Sequence, residues 1–322
     1  MAVVFEEIMR YVFFDIECAS VSKETAKICV FGYVVTDEQF HIVEQQDLRL
    51  NPKGGFHLTD RKGERGLVLP YEYNSFRACP TFDKAYPTIK ALLEGEDTLV
   101  FGHAAVNDVK YLCLETKRFS LPSFTFAFGD TQLLFMTREH SFANQPGLET
   151  VTKNLGVEFT PHRAMDDAYA TMKVAEALCK EAGTDLAGLL RRYGCTLGVL
   201  RDYRYSPPTT EQELAYRKEC ERKKAERVRR REVFFRTVNG RHPKVANGKW
   251  KGRIFCFSRK LEEEEEGVAL LALVYANGGK YLTRLSDCNV FVCREQGGDR
   301  FRQISARTDV TILTPEELKE LV

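Results

Sequence analysis

Two acidic residues stand two positions apart after an apolar run near the start of the chain. The run from Tyr11 to Phe14 is aromatic and β-branched, which favours a buried strand, and Asp15 and Glu17 follow it. Alternate residues of a strand face the same side, so the two carboxylates would lie side by side. Such a pair binds a hard divalent cation well, because the cation prefers oxygen ligands and cancels the repulsion. Alone, so short a pattern is more often two solvated acids at a strand end.

Three more candidates stand where later elements begin. Asp108 lies close to a predicted helix start, and His162 precedes Asp167 by five residues where a loop enters a long helix. With the first two acids, these carboxylates can form an all-oxygen pocket for two divalent cations, Mg²⁺ or Mn²⁺. Two metals about 4 Å apart support in-line phosphoryl displacement. A histidine titrating near neutral pH suits removal of a proton from the attacking water.

Composition is that of an ordinary globular protein. The chain has 322 residues, enough for two domains, with 43% hydrophobic and 29% charged residues. No apolar run is long enough for a membrane span, and the first residues lack a signal-peptide pattern. Ten cysteines without C-x-x-C pairs indicate neither a zinc ribbon nor a disulfide framework. We therefore expect reduced thiols, a cytoplasmic location and no membrane partner.

The first part of the chain predicts an α/β domain with a mixed sheet. Residues 51–80, rich in Gly, Pro, Arg and Asp, are interpreted as a long excursion near the opening of the site. The predicted strands are 11–17, 28–35, 40–50, 98–102 and a short one ending at Asp130. The predicted helices are 82–93, one beginning at Asn107, 131–136, 148–155 and 166–181.

The charge pattern separates the chain into an acidic and a basic part. Acidic residues outnumber basic ones over residues 1–183, and the reverse holds over 184–322. Residues 184–247 are predicted to be a basic, partly helical linker, with nine basic residues between Arg217 and Arg231. This helix is either a solvated linker laced with ion pairs or a contact for a phosphate backbone. A compact pattern of short strands and helices returns at 248–322 and predicts a second small α/β domain.

Three segments resemble the motifs of a known family. FFDIE, GHAAVNDVKYL and HRAMDDAYAT, in that order, resemble those of the DEDDh (DnaQ-like) 3′–5′ exonucleases, which have a ribonuclease-H-like fold. The proofreading subunit of bacterial DNA polymerase III, ribonuclease T and oligoribonuclease belong to that family. The resemblance covers about residues 9–183 and implies a mixed sheet flanked by helices. It also implies a general base, His162, and four metal ligands: Asp15, Glu17, Asp108 and Asp167.

The chain departs from the family pattern beside the predicted ligands. Cys18 replaces the usual threonine, Ala104 an asparagine that is often present, and Asn107 a common phenylalanine. These changes concern how the terminal nucleotide is held, and so the choice between DNA and RNA. The predicted substrate contacts are Ile16, Cys18, His103 and Asn107. For His103 a local hydrogen-bonding role is an equal alternative.

Residues 248–322 resemble a single BRCT domain of the kind found in bacterial NAD-dependent DNA ligases. The matching features are the strand at Gly252–Phe257, the Gly278-Gly279 turn, the strand around Val290–Cys293 and the last strand and helix. Together the resemblances imply a two-metal 3′–5′ exonuclease acting on DNA in preference to RNA, docked through the BRCT-like domain to DNA or to a replication or repair protein. The alternatives are an RNA-trimming exoribonuclease and an inactive nucleic-acid-binding adaptor.

Overall fold

The protein is described here from a computed structural model. The described residues are 10–57, 68–159, 161–240, 242, 245 and 247–322. Part of the predicted excursion at 51–80 therefore lies outside the described residues. The chain divides into two compact units, Met1–Tyr216 and Arg217–Val322. All ten cysteines are free thiols, as expected. No helix among the described residues has the length and apolar character of a membrane span. The cytoplasmic location stays a prediction.

The first unit is built on a seven-stranded sheet. Its strands are β1 (Arg10–Val21), β2 (Ala26–Thr36), β3 (Ile42–Arg49), β4 (Thr98–Gly102), β5 (Phe126–Asp130), β6 (Gly198–Arg201) and β7 (Arg204–Ser206). They lie in the order β3-β2-β1-β4-β5-β6-β7. Strand β1, third in this order, runs antiparallel to β2 and parallel to β4, which confirms the predicted mixed sheet.

Helices cover both faces of this sheet. They are α1 (Phe82–Leu93), α2 (Val106–Arg118), α3 (Thr131–Arg138), α4 (Leu148–Leu155), α5 (Ala164–Ala182) and α6 (Leu186–Arg192). On one face, α1 and α2 pack against Val12 and Phe14 of β1. On the other, α5 packs against Tyr11 and Phe13. The apolar stripe of α5, formed by Ala168, Met172, Ala175 and Leu178, is buried there, so this helix is anchored along its length to the strand that carries the first two acids.

The predicted linker at 184–247 contains more structure than the sequence indicated. Helix α6 packs into the first core through Leu186, Leu189 and Leu190. Strands β6 and β7 extend the sheet, because β6 pairs antiparallel with β5 and β7 pairs with β6. These strands have four and three residues, too short for alternation to mark them in the sequence. Residues 186–206 therefore belong to the first unit rather than to a linker.

The second unit has a four-stranded, all-parallel sheet in the order β11-β10-β8-β9. The long helix α7 (Glu211–Val238) begins in the last residues of the first unit and continues in the second. The other elements of the second unit are β8 (Ile254–Phe257), α8 (Arg259–Glu262), α9 (Glu265–Ala276), β9 (Lys280–Tyr281), β10 (Val290–Val292), α10 (Gly298–Ser305), β11 (Thr311–Leu313) and α11 (Pro315–Glu320). Phe234 of α7 is buried in its core beside Phe257, so the end of the basic helix has an apolar anchor that the prediction lacked. Helix α10 was also not predicted. Thr314 and Glu317 form a capping box at the start of α11.

Candidate active site

Strand β1 presents the first two acids on the side that faces α5. Asp15 lies opposite Gly32 of β2, and Glu17 lies opposite Val30. Since Phe13 packs toward α5, the alternation of the strand directs Asp15 and Glu17 the same way. The pairing with β2 becomes irregular directly after Glu17, at Cys18. The regular part of the strand therefore ends with these two carboxylates side by side.

Helix α5 brings a third carboxylate to the pair. Asp167 lies in the first turn of the helix and is 8% exposed. Its carboxylate and those of Asp15 and Glu17 have oxygens within 4.8 Å of one another. Three carboxylate oxygens at this spacing match the ligand preference of Mg²⁺ and Mn²⁺. The structure thus joins three of the four predicted metal ligands.

The fourth predicted ligand adjoins this cluster from the opposite layer of helices. Asp108 is buried in the first turn of α2 and is not part of the group of three. Its pKa is raised well above the ordinary value, chiefly by burial and then by the charges of Asp15 and Glu17. Asp108 is therefore close enough to Asp15 and Glu17 for their charges to act on its carboxyl.

Burial and mutual repulsion make the charged forms of these carboxyls unfavourable. Burial, followed by the charge of Asp167, raises the pKa of Glu17 to about 8. Burial and then Asp15 raise the pKa of Asp167 to about 8, and the pKa of Asp15 is raised by burial and Glu17. Carboxyls that hold protons near neutral pH gain most from a divalent cation, which replaces those protons. The donor set therefore fits the predicted metal chemistry.

His162 lies just before α5 with its backbone in the left-handed region, φ = 70°. Its Nε2 is 3.4 Å from Oε1 of Glu149, in the first turn of α4, and its side chain is 42% exposed. The backbone N–H of His162 faces the Asp167 carboxylate and offsets part of the rise in that residue's pKa. The predicted base and the predicted ligand are thus on one short segment, with the ring accessible to solvent.

The predicted substrate contacts have unequal surroundings. Ile16 and Cys18 are 5% and 9% exposed and pack in the core with Phe14. Both ring nitrogens of His103 have partners within the protein, because Nε2 is 3.2 Å from the Pro146 carbonyl oxygen and Nδ1 is 3.0 Å from a threonine hydroxyl. Burial lowers the pKa of His103 to about 4, so its ring is neutral. Asn107 is exposed at the start of α2. Contact with substrate stays a prediction for all four residues.

Two supporting acids were not predicted to have a role in the site. Asp130, the last residue of β5, accepts hydrogen bonds from the backbone N–H groups of Ala104 and Ala105, so it holds the turn that leads to Asp108. Asp47 of β3 is close enough to raise the pKa of both Asp15 and Glu17. The position of Asp130 at a strand end was a usable signal. Nothing in the local sequence distinguishes Asp47 from other acids.

Comparisons with known proteins identify a family. The sequence model of the Exonuclease family (RNase_T) matches residues 12–175, a range that includes all five predicted catalytic residues. No curated protein matches the chain.

Solved structures that match part of the chain include two of exonuclease I and one of a 3′-exonuclease. Exonuclease I in complex with an inhibitor has a TM-score of 0.47 at 18% identity, over 58% of this chain and 44% of that one. The structure of E. coli exonuclease I with a 5cy-dT13 oligonucleotide has a TM-score of 0.44 at 18% identity, over 57% and 43%. A 3′-exonuclease described as recognising the 3′ end of a histone mRNA stem-loop has a TM-score of 0.48 at 10% identity, over 64% and 92%. The chain spans less than half the length of the exonuclease I structures.

Proposed function

The chain belongs to the exonuclease family, and on that premise we propose that it is a metal-dependent 3′–5′ exonuclease acting on the single-stranded or frayed 3′ ends of DNA. The observation that carries the proposal is the group of carboxylates from Asp15, Glu17 and Asp167, with oxygens within 4.8 Å of one another and Asp108 beside them. Four acids gathered from three elements are costly to bury, so they indicate a cationic ligand.

The residues of the chain have distinct proposed roles. Asp15, Glu17, Asp108 and Asp167 would hold two Mg²⁺ or Mn²⁺ ions, which when bound supply charge stabilisation for an in-line displacement at phosphorus. His162 accepts a proton from the attacking water, for which its exposed ring on a loop segment is suited. Glu149, whose Oε1 lies 3.4 Å from Nε2 of the ring, orients it. The spacing of His162 and Asp167 is the feature that favours the DEDDh branch, to which the polymerase III proofreading subunit belongs.

Helix α7 supports a polynucleotide as the substrate. Several of its cations are neutralised by Glu219 and Glu226 through ion pairs along the helix. Lys224 and Arg227 are exposed, and within the described part of the chain no acidic group lies in ion-pair distance of either. Three residues apart on a helix, they share one face, which we name the basic face of α7. Such a face fits the phosphate backbone of a nucleic acid.

The second unit is proposed to be a BRCT-like docking domain for DNA or for a replication or repair protein. Its support is the pattern-level resemblance of residues 248–322. The four-stranded parallel sheet is a second fold that the carboxylate site does not use. This resemblance is also the reason for preferring DNA to RNA.

A panel of 5′-labelled substrates tests the proposal. Single-stranded DNA, duplex DNA with matched and mismatched ends, and RNA are incubated with the full-length protein and Mg²⁺ or Mn²⁺. We expect a ladder that shortens from the 3′ end of DNA one nucleotide at a time and is abolished by EDTA. Asp167→Asn should abolish it, whereas Asp166→Asn, the same change one residue away, should retain it. Cleavage of RNA alone would show that the substrate is RNA rather than DNA. If no substrate were cleaved in a metal-dependent reaction, the proposal that the protein is an exonuclease would be overturned.

A further inference from the structure

The start of α5 lies directly on the sheet at a row of three paired residues. Asp15 of β1 pairs with Gly32 of β2, and Gly32 pairs with Asp47 of β3. Gly32 leaves room for the helix, because a Cβ at this position would lie only 2.1 Å from the carbonyl carbon of Ala164. The backbone of the segment that joins His162 to Asp167 therefore rests on the strand beside Asp15.

That segment has no cap of its own. Arg163 occupies the N-cap position of α5, and its side chain makes no capping hydrogen bond. The first backbone N–H groups of a helix have no partner within the helix, so they require one from elsewhere. Residues with short polar side chains usually supply it, and Arg163 is not one of them.

Asp47 supplies the missing cap from β3, which is separated from β1 by β2. Its Oδ1 accepts the backbone N–H of Met165 at 2.8 Å, and its Oδ2 accepts Nε of Arg163 at 3.1 Å. Oδ2 also accepts the hydroxyl of Tyr71 at 3.2 Å, and that hydroxyl in turn accepts the N–H of Ala164 at 3.1 Å. The Asp47 side chain is only 8% exposed, so its bonds to Met165 and Tyr71 are partly shielded from water, whereas the Arg163 side chain is half exposed. Arg163, Ala164 and Met165 are thus held by the Asp47 carboxylate, directly or through the Tyr71 hydroxyl.

We propose that Asp47 is a positioning residue of the exonuclease site, which fixes the start of α5 so that Asp167 and His162 face Asp15 and Glu17. The inference rests on the proposed function for its activity readout, but the hydrogen-bond clamp can be tested without it. A displacement of about 1 Å at a catalytic group can cost on the order of 100-fold in rate, so a clamp on the backbone next to two such groups has kinetic consequences.

The test compares Asp47→Ala, Asp47→Asn and Tyr71→Phe in the full-length protein with Asp185→Ala. Asp185 is the matched control because it also caps a helix, α6, by accepting the N–H of Gly188 at 2.7 Å. We expect Asp47→Ala to lower kcat by about 10- to 100-fold, as loss of a supporting residue commonly does, with little change in KM for the oligonucleotide. Asp47→Asn keeps an acceptor for the Met165 N–H, and Tyr71→Phe keeps the carboxylate, so both should lose less. Asp185→Ala should leave kcat unchanged.

Hydrogen exchange of the amides of Ala164 and Met165 gives a second readout that needs no nuclease activity. We expect faster exchange of the Met165 amide in Asp47→Ala and a smaller increase in Asp47→Asn, which keeps an acceptor. Tyr71→Phe removes the acceptor of the Ala164 N–H and should speed exchange of that amide, and Asp185→Ala should show wild-type exchange. Faster exchange with wild-type kcat would overturn the positioning role while leaving the proposed function intact, and unchanged exchange would overturn the clamp itself. If Asp47→Ala does not fold, Asp47→Asn and Tyr71→Phe decide by the same criteria. An inactive wild-type protein would overturn both the proposed function and the positioning role. The exchange data would then still show whether Asp47 holds the start of α5.

Discussion

Nε2 of His162 lies 3.4 Å from Oε1 of Glu149, so the ring of the proposed general base faces the first turn of α4. Both side chains are substantially exposed, at 42% and 62%, and exposed ion pairs of this kind contribute up to about 1 kcal/mol. The pair therefore orients the ring without locking it.

From this geometry we expect His162→Ala to lower kcat by roughly 10²- to 10⁴-fold, the usual contribution of a general base. Glu149→Gln should lower kcat by no more than about fivefold, which corresponds to 1 kcal/mol. Single-turnover cleavage of a 5′-labelled oligonucleotide measures both. His41→Ala is the control, since His41 pairs with Asp37 at 2.9 Å in an exposed turn elsewhere in the unit. Equal losses in His41→Ala and His162→Ala would contradict the assignment.

The carboxylate cluster predicts how stability depends on pH. The pKa values of Glu17 and Asp167 rise from ordinary values of 4.5 and 3.8 to about 8, chiefly through burial. At pH values between the ordinary and the raised pKa, the folded state binds more protons than the unfolded state. The free energy of unfolding of the metal-free protein should therefore fall as pH rises through this range. Bound Mg²⁺ replaces the protons and should restore stability most at pH 8.

Thermal melts in EDTA and in Mg²⁺ at pH 5, 6.5 and 8 measure this dependence. Glu17→Gln removes one titrating group and should flatten the fall in Tm with pH in EDTA. It should also reduce the Tm gain from Mg²⁺ at pH 8. A wild-type pH dependence in Glu17→Gln would show that this carboxyl is not responsible.

Close packing of α5 on the sheet predicts that Gly32→Ala destabilises the protein. The added Cβ would meet the backbone of Ala164 at 2.1 Å, and overpacking of this kind costs about 1–3 kcal/mol. Since the displaced backbone leads to Asp167, kcat should fall as well. Gly147→Ala is the control, because nothing lies within 4 Å of a Cβ at that position. If urea denaturation gave the two variants equal midpoints, the close packing of α5 at Gly32 would be contradicted.

A strained turn before Asp108 predicts a stabilising substitution. Ala104 has φ = 55°, a left-handed conformation that costs an ordinary residue about 1 kcal/mol and that asparagine tolerates better. Ala104→Asn should therefore raise Tm by a few degrees. Ala105→Gly at the next residue, which has a right-handed φ of −53°, should lower it. A lower Tm in Ala104→Asn would show that the turn is not strained.

The basic face of α7 predicts a salt-dependent contribution to binding. Lys224→Ala combined with Arg227→Ala should reduce the slope of log affinity against log salt for single-stranded DNA by about 1.4, if each cation neutralises one phosphate. Lys23→Ala with Lys180→Ala removes the same charge from two exposed positions on the first unit and serves as the control. Fluorescence anisotropy with catalytically inactive Asp167→Asn protein avoids cleavage during the titration. Equal slopes for the two double variants would exclude a specific contact.

Local pattern was enough to predict most of the elements that carry the site. Helix α1 and strand β4 have the predicted bounds, and the apolar stripe of α5 is buried as its 3.6-residue period requires. These features depend on interactions over a few residues, which sequence reports directly. The same locality explains the failures at β6 and β7, whose few residues gain their strand conformation from pairing with β5.

By itself the sequence determined which residues are chemically able to form the site: acids two apart on a strand, an acid near a helix start, and a histidine five residues before another acid. Only the tertiary structure decided their arrangement. It brought Asp167 within 4.8 Å of Asp15 and Glu17, left Asp108 beside them, and buried Ile16 and Cys18 in the core. The role of Asp47 was likewise invisible in sequence. Its partners come from a distant helix start, and proximity across a sheet follows from packing at Gly32 rather than from any local pattern.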